Sequence, residues 1–184
     1  NLATPKGIVY MLPGGGMNFK SSFLTPIDDN LAQYFRKSRY LVVGITPRED
    51  NVPSLGSYSC MKNWGMAKHL ADIREIIDIV QKKLGMDYAI LGHSFGAAYA
   101  LDYASRYYYD SRLKKVIALD IYSFAPGNEN SRISMIAYQE LITEGTYADT
   151  SYSQMKSLML MSMLLPDLDS GQPRGDTGPG DFTF

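Results

Sequence analysis

The run Tyr88-Ala-Ile-Leu-Gly92-His93-Ser94-Phe95-Gly96-Ala97-Ala98 places the narrowest limit on what this chain can fold into. Four apolar residues read as a buried strand, two glycines flank a single serine, and small residues open a helix. A strand that reverses directly into a helix presses the positions two before and two after the turn residue against neighbouring backbone, so both must be small. The serine is then held in a strained conformation with its hydroxyl raised above the sheet, and the N–H of Phe95 points into the same space. That arrangement suits a nucleophile and a developing oxyanion. A glycine-rich turn with a surface serine is the plainer alternative; the strand before it and the helix after it favour the nucleophile.

Three further apolar runs have the same character. Gly7 to Leu12 is a short buried strand that enters Pro13-Gly14-Gly15-Gly16, a loop stripped of side chains. Three successive glycines carry a large entropic penalty; a flexible connector is the plainer alternative, and the glycine-flanked serine turn about 80 residues later favours a loop whose N–H groups must approach a ligand oxygen. Tyr40 to Ile45 is the second strand, followed by a Pro-, Gly- and Ser-rich loop from Thr46 to Ser59. Lys115 to Leu119 is the fourth, and it delivers Asp120 at its end. Between them, the spacing predicts helices over Ser21 to Lys37, with Asp28 or Asp29 near its start, over Asn63 to Leu84 with Gly85 as the stop, and over Phe95 to Tyr109. His69 falls at the edge of the apolar stripe of the second of these and reads as a half-buried structural residue. Tyr99, Tyr103 and Tyr107 stand four apart on the third and read as packing.

Strands that are apolar throughout, alternating with helices, call for a mostly parallel sheet covered by helices on both faces. Ligands in such sheets bind beyond the carboxyl ends of the strands. The triple-glycine loop, the Thr46 loop, Ser94 and Asp120 all belong to that end. Residues 1–125 are accordingly assigned to this α/β core and residues 126–184 to a helical lid with a Gly/Pro-rich tail. The lid consists of two methionine- and leucine-rich helical candidates, Ser134 to Thr143 and Gln154 to Leu165, whose adaptable apolar side chains suit a cover over a site. Ordinary helices packed on the sheet are the alternative.

Composition narrows the partners. A net charge of −1 over 184 residues argues against nucleic acid as a partner in bulk. The single cysteine, Cys60, excludes an internal disulfide and a multi-cysteine metal site. Leu158 to Leu165, the longest apolar stretch, is too short to span a bilayer. The sequence implies no metal and no organic cofactor, is compatible with a homo-oligomer, and carries no indication of compartment.

With these residues in hand, the chain resembles the α/β-hydrolase superfamily over Gly7 to about Asp120. Pro13-Gly14-Gly15-Gly16 stands in the place of the family's oxyanion loop and Gly92-His93-Ser94-Phe95-Gly96 in the place of its nucleophile turn. The resemblance implies a serine hydrolase that cleaves a carboxylic ester, thioester or related acyl bond of a small molecule. Ser94 would attack the acyl carbon, and Gly15, Gly16 and Phe95 would hold the oxyanion, with Met17 beside the substrate. Asp120 would be the acid of the triad; a strand-end residue capping its turn is the alternative. The family's chain order is serine, acid, histidine. Here no histidine follows Ser94, because the chain's two histidines are His69 and His93. The expectation is an incomplete chain whose base lies elsewhere. The rival expectations are a non-catalytic binding module that keeps the fold without the base, and an acyltransferase, peptidase or cofactor-free oxidase of the same fold.

Overall fold

The computed structural model describes residues 4–52, 58–121, 136 and 139–145. Four strands, β1 (Ile8–Leu12), β2 (Leu41–Gly44), β3 (Tyr88–His93) and β4 (Leu113–Leu119), pair in parallel in the order β2-β1-β3-β4. Ile8 faces Leu41 on one side and Tyr88 on the other, and His93 faces Leu119. The helices are α1 (Phe19–Phe23), α2 (Leu31–Lys37), α3 (Met66–Leu84) and α4 (Phe95–Arg106).

Side chains alternate across a strand, so a central strand whose residues are all apolar must be covered twice. β1 shows this directly. Ile8, Tyr10 and Leu12 pack with Leu70, Ile73 and Ile77 of α3 and with Ala100 and Tyr103 of α4. Val9 and Met11 pack on the opposite face with Phe23 of α1 and Ala32 of α2. The expected parallel sheet with helices on both faces is therefore present.

The strand order also locates a crevice. From β1 the chain moves to one neighbour, β2, by way of α1 and α2; from β3 it moves the other way, to β4, by way of α4. The loops after β1 and β3 thus diverge to opposite faces between two adjacent strands, which is the topological switch point at which open α/β sheets bind ligands.

The helix expected over Ser21 to Lys37 is two helices. Pro26 lies inside that span, where it can neither donate a helical hydrogen bond nor avoid the preceding turn. The chain restarts at Asn30 rather than at Asp28 or Asp29: its side-chain oxygen accepts from the Gln33 N–H at 2.9 Å, and its amide donates to the Pro26 carbonyl at 2.8 Å. α3 ends as expected at Gly85, whose φ of 59° is the left-handed conformation of a helix stop. α4 is shorter than expected, ending at Arg106, and the Thr46 loop contains a 3-10 turn over Arg48–Asn51.

The chain divides into two compact units, Asn1–Tyr138 and Gln139–Phe184. In the second, residues 139–143 are helical and the Thr143 hydroxyl donates to the Gln139 carbonyl at 2.8 Å. The expected lid helix at Gln154 to Leu165, the Gly/Pro-rich tail and the boundary placed at 125/126 lie outside the described residues. No helix among the described residues is long and apolar enough to cross a membrane.

Candidate functional site

Ser94 is the single residue between β3 and α4. Its φ of 52° and ψ of −118° are a backbone conformation that a side chain resists, sustained here from both sides. The Ser94 N–H donates to the Leu119 carbonyl at the end of β4 at 2.8 Å, and the Ala97 N–H donates to the Ser94 carbonyl at 2.9 Å. The flanking glycines are required by contact. A Cβ on Gly92 would collide with the carbonyl of Gly96, and a Cβ on Gly96 would collide with the carbonyls of Leu12 and Pro13. The second contact matters most, because it lets the start of α4 rest on the end of β1.

The same approach brings the glycine loop to the serine. A Cβ on Gly14 would stand 3.4 Å from Ser94 Cβ and 3.2 Å from His93 Nδ1, and one on Gly15 would stand 3.6 Å from Phe95 Cβ. The loop turns back at Gly16, φ 70°, with the Met17 N–H donating to the Gly14 carbonyl at 3.2 Å. Met17 extends from this turn with its sulfur against Gly14 and within 3.8 Å of the Ser22 hydroxyl. Phe95 opens α4, so its N–H has no preceding helical turn to accept it. Gly14, Gly15, Met17, Ser94 and Phe95 are thus one cluster at the switch point.

Asp120 is placed at the same edge, one strand further along. It too has a positive φ, 50°, and its side chain is 88% exposed. Its carboxylate lies 4.0 Å from His93 Nε2. The His93 ring therefore lies between the glycine loop and Asp120, its Nδ1 near Gly14 and its Nε2 near the carboxylate. Among the described residues, no imidazole hydrogen-bonds to the Ser94 hydroxyl, and no group of three or more His, Cys, Asp or Glu side chains converges as a metal site.

An ionic cluster beside the glycine loop leaves no periodic trace in the sequence. His69, buried on α3, donates from Nε2 to Glu49 Oε1 at 2.8 Å. Arg48 makes a two-pronged contact with Asp72, its Nε at 2.7 Å, and lies over the Trp64 ring. Burial alone would raise the Glu49 carboxyl; the hydrogen bond and charge of His69, its backbone hydrogen bond and nearby Arg48 outweigh that and hold it below the usual carboxylate range. The expectation of a half-buried structural His69 was silent on this partner, because Glu49 lies 20 positions earlier in a loop without periodicity.

A parallel sheet doubly covered by helices, with a strained serine turn and a glycine loop meeting at its switch point, defines the class of open α/β proteins, whose sheets bind ligands beyond the carboxyl ends of their strands. Solved structures narrow it. A highly thermostable carboxyl esterase from Bacillus coagulans, in complex with glycerol, matches with a TM-score of 0.58 at 21% identity, over 93% of this chain and 51% of that one. A protein designated non-heme bromoperoxidase BpoC from Mycobacterium tuberculosis matches with a TM-score of 0.53 at 13% identity, over 83% of this chain and 51% of that one. The chain has the α/β-hydrolase fold. It spans about half the length of these two structures. No protein-family model and no curated protein sequence matches it.

Proposed function

We propose that the protein is a serine hydrolase that cleaves an ester, thioester or related acyl bond of a small molecule, with Ser94 as nucleophile. The observation that carries this reading is the closeness of the strained Ser94 turn to the Gly14 backbone, where an added Cβ would stand 3.4 Å from Ser94 Cβ. Ser94 Oγ attacks the acyl carbon, and the carbonyl oxygen takes up negative charge facing the N–H groups of Phe95 and of Gly15 or Gly16. Each such donor contributes about 10²–10³ in turnover in comparable sites, because it is fixed before the charge develops. Collapse of the tetrahedral species expels the alcohol or thiol, and water then releases the acid. Met17 borders the substrate, and Asp120 is the carboxylate at this edge assigned to orient the base. Neither His69, held by Glu49, nor His93, 4.0 Å from Asp120, is assigned as that base.

The fold of the esterase neighbour is in keeping with this reading, as a likeness of fold. A second reading, a binding module of the same fold without catalysis, is favoured by one observation: the Ser94 hydroxyl has no imidazole partner among the described residues. A fluorophosphonate probe on the full-length protein separates the two. Labelling that disappears in Ser94→Ala supports the hydrolase. An unlabelled wild-type protein, or labelling that persists in Ser94→Ala, overturns it.

A further inference from the structure

The 3-10 turn Arg48–Asn51 is bonded on two sides. Arg48 holds Asp72 and Glu49 holds His69, and these two partners stand three apart on one face of α3. α3 is itself packed on the sheet through Leu70, Ile73 and Ile77, so the turn rests on a buried support. Asp50, the next residue, is bonded to a different element: its Oδ1 accepts from Asn18 Nδ2 at 3.0 Å. The turn thus links α3 to the residue at which the glycine loop ends.

Asn18 follows Met17, whose N–H closes the loop onto the Gly14 carbonyl. Its side chain is used at both ends, since Oδ1 accepts from the Ser21 N–H at 2.9 Å to start α1 while Nδ2 donates to Asp50. Beside it, the Phe19 N–H donates to Thr46 Oγ1 at 3.3 Å, and the Phe19 ring occupies the space that a Cβ on Gly44 would need. The other end of the loop is set by Leu12 and Pro13 against Gly96. Between these two fixed ends stand three glycines, the residues that restrict their own backbone least and offer no side chain to pack. Amides that must face an oxyanion before its charge develops therefore depend on how the ends are held. Asp50 is exposed, and a hydrogen bond at such a position adds little to folding. Its consequence lies in where the loop end sits.

We propose that Asp50 is a positioning residue: by holding Asn18 it keeps the amides of the glycine loop in register with Ser94. The proposal rests on the hydrolase reading. The test measures the second-order rate of Ser94 labelling by a fluorophosphonate probe on the full-length protein, with the urea midpoint of each variant alongside. Asp50→Ala should slow labelling by about tenfold or more, a part of the roughly 10²–10³ that one oxyanion donor contributes, with the midpoint unchanged. Asp50→Asn keeps the acceptor and drops the charge, so it should label at the wild-type rate. Asn18→Asp keeps the cap of α1 and sets a second carboxylate against the first, so it should label slowly. Adding Asp50→Asn to Asn18→Asp returns a donor to the pair and should restore the rate. The positioning role is overturned, with the hydrolase left standing, by wild-type labelling in Asp50→Ala, by a loss shared with Asp50→Asn, by a slow rate accompanied by a lowered midpoint, or by no recovery in the double variant. A wild-type protein that does not label removes the hydrolase reading and this role with it.

Discussion

At Gly96 the absence of one carbon decides whether two elements can touch. A methyl there would enter the carbonyls of Leu12 and Pro13, which belong to a fixed strand end and have no rotamer through which to escape. Gly96→Ala should therefore lower stability by about 1–3 kcal/mol in urea unfolding and also remove labelling of Ser94, because relief comes only by lifting α4 from β1. Gly14→Ala is a different case. Its new methyl would meet His93 Nδ1 at 3.2 Å, a side-chain atom that can give by a few tenths of an ångström. Stability should change by under about 1 kcal/mol while turnover falls about tenfold or more, because the displaced loop no longer presents its amides to the same oxygen. Glu49 yields a prediction with a sign. Its folded pKa lies below the ordinary 4.5, so the stability it contributes is complete above that value and is lost as pH falls through the folded one. Glu49→Gln should remove this component of acid sensitivity, read as a smaller fall in unfolding midpoint between pH 6 and the acid limit.

Among the elements, α2 depends on one residue for its start. Asn30 accepts from Gln33 and donates to the Pro26 and Ile27 carbonyls, so it satisfies a helix end and closes the preceding turn together. Asn30→Ala should lower stability by about 1–2 kcal/mol, the upper part of the range for a lost cap, measured by thermal or urea unfolding. Asn30→Asp, which keeps the acceptor, should recover part of that loss. This element also separates what was legible in the sequence from what was not. Strands and their order of appearance could be read, since β1, β2 and β3 are short apolar runs with glycine or proline close by and β4 ends in the apolar run Val116 to Leu119, and α3 could be read because its stripe and its Gly85 stop are local. The turn geometry at Ser94 was legible for the same reason: Gly92 and Gly96 are two residues away. The division of α1 from α2 was overlooked because the apolar spacing from Phe23 to Phe35 continues across Pro26 and outweighed it. The Glu49–His69 and Arg48–Asp72 pairs were hidden for a stronger reason, as each joins a loop to a helix face over 20 or more positions and leaves no periodic trace.

Across the molecule, the two ends of the sheet are built from different chemistry. The carboxyl end holds the serine turn and its backbone amides. Packed within the core, away from that turn, are three tyrosines with little or no exposure: the hydroxyls of Tyr88 and Tyr103 join β3 to α4, and that of Tyr10 joins β1 to Gln81 of α3. Tyr88 donates to Asp110 at 2.9 Å and stands 3.4 Å from the Tyr103 oxygen, which also lies 3.3 Å from Arg74; Gln81 reaches Tyr10 at 3.5 Å. Burial pushes the Tyr10 phenol up to about 12 against a partial lowering by Gln81. Burial also raises Tyr88, reinforced by Tyr103 and Asp110, and raises Tyr103 against the opposing influence of Tyr88 and Arg74. All three shifts have one sign, since the folded state keeps these protons and the unfolded chain releases them near the ordinary value of 10.0. Their contribution to stability is therefore complete below that pH and falls as pH rises through the folded values. Urea midpoints recorded from neutral to strongly alkaline pH should decline steeply above about pH 10, and Tyr88→Phe should lower the neutral-pH stability by about 1–2 kcal/mol while making the alkaline decline shallower. A decline of equal slope in wild type and Tyr88→Phe would mean that the network ionises in the folded protein as freely as in water, and the tyrosines would then serve as apolar filling alone.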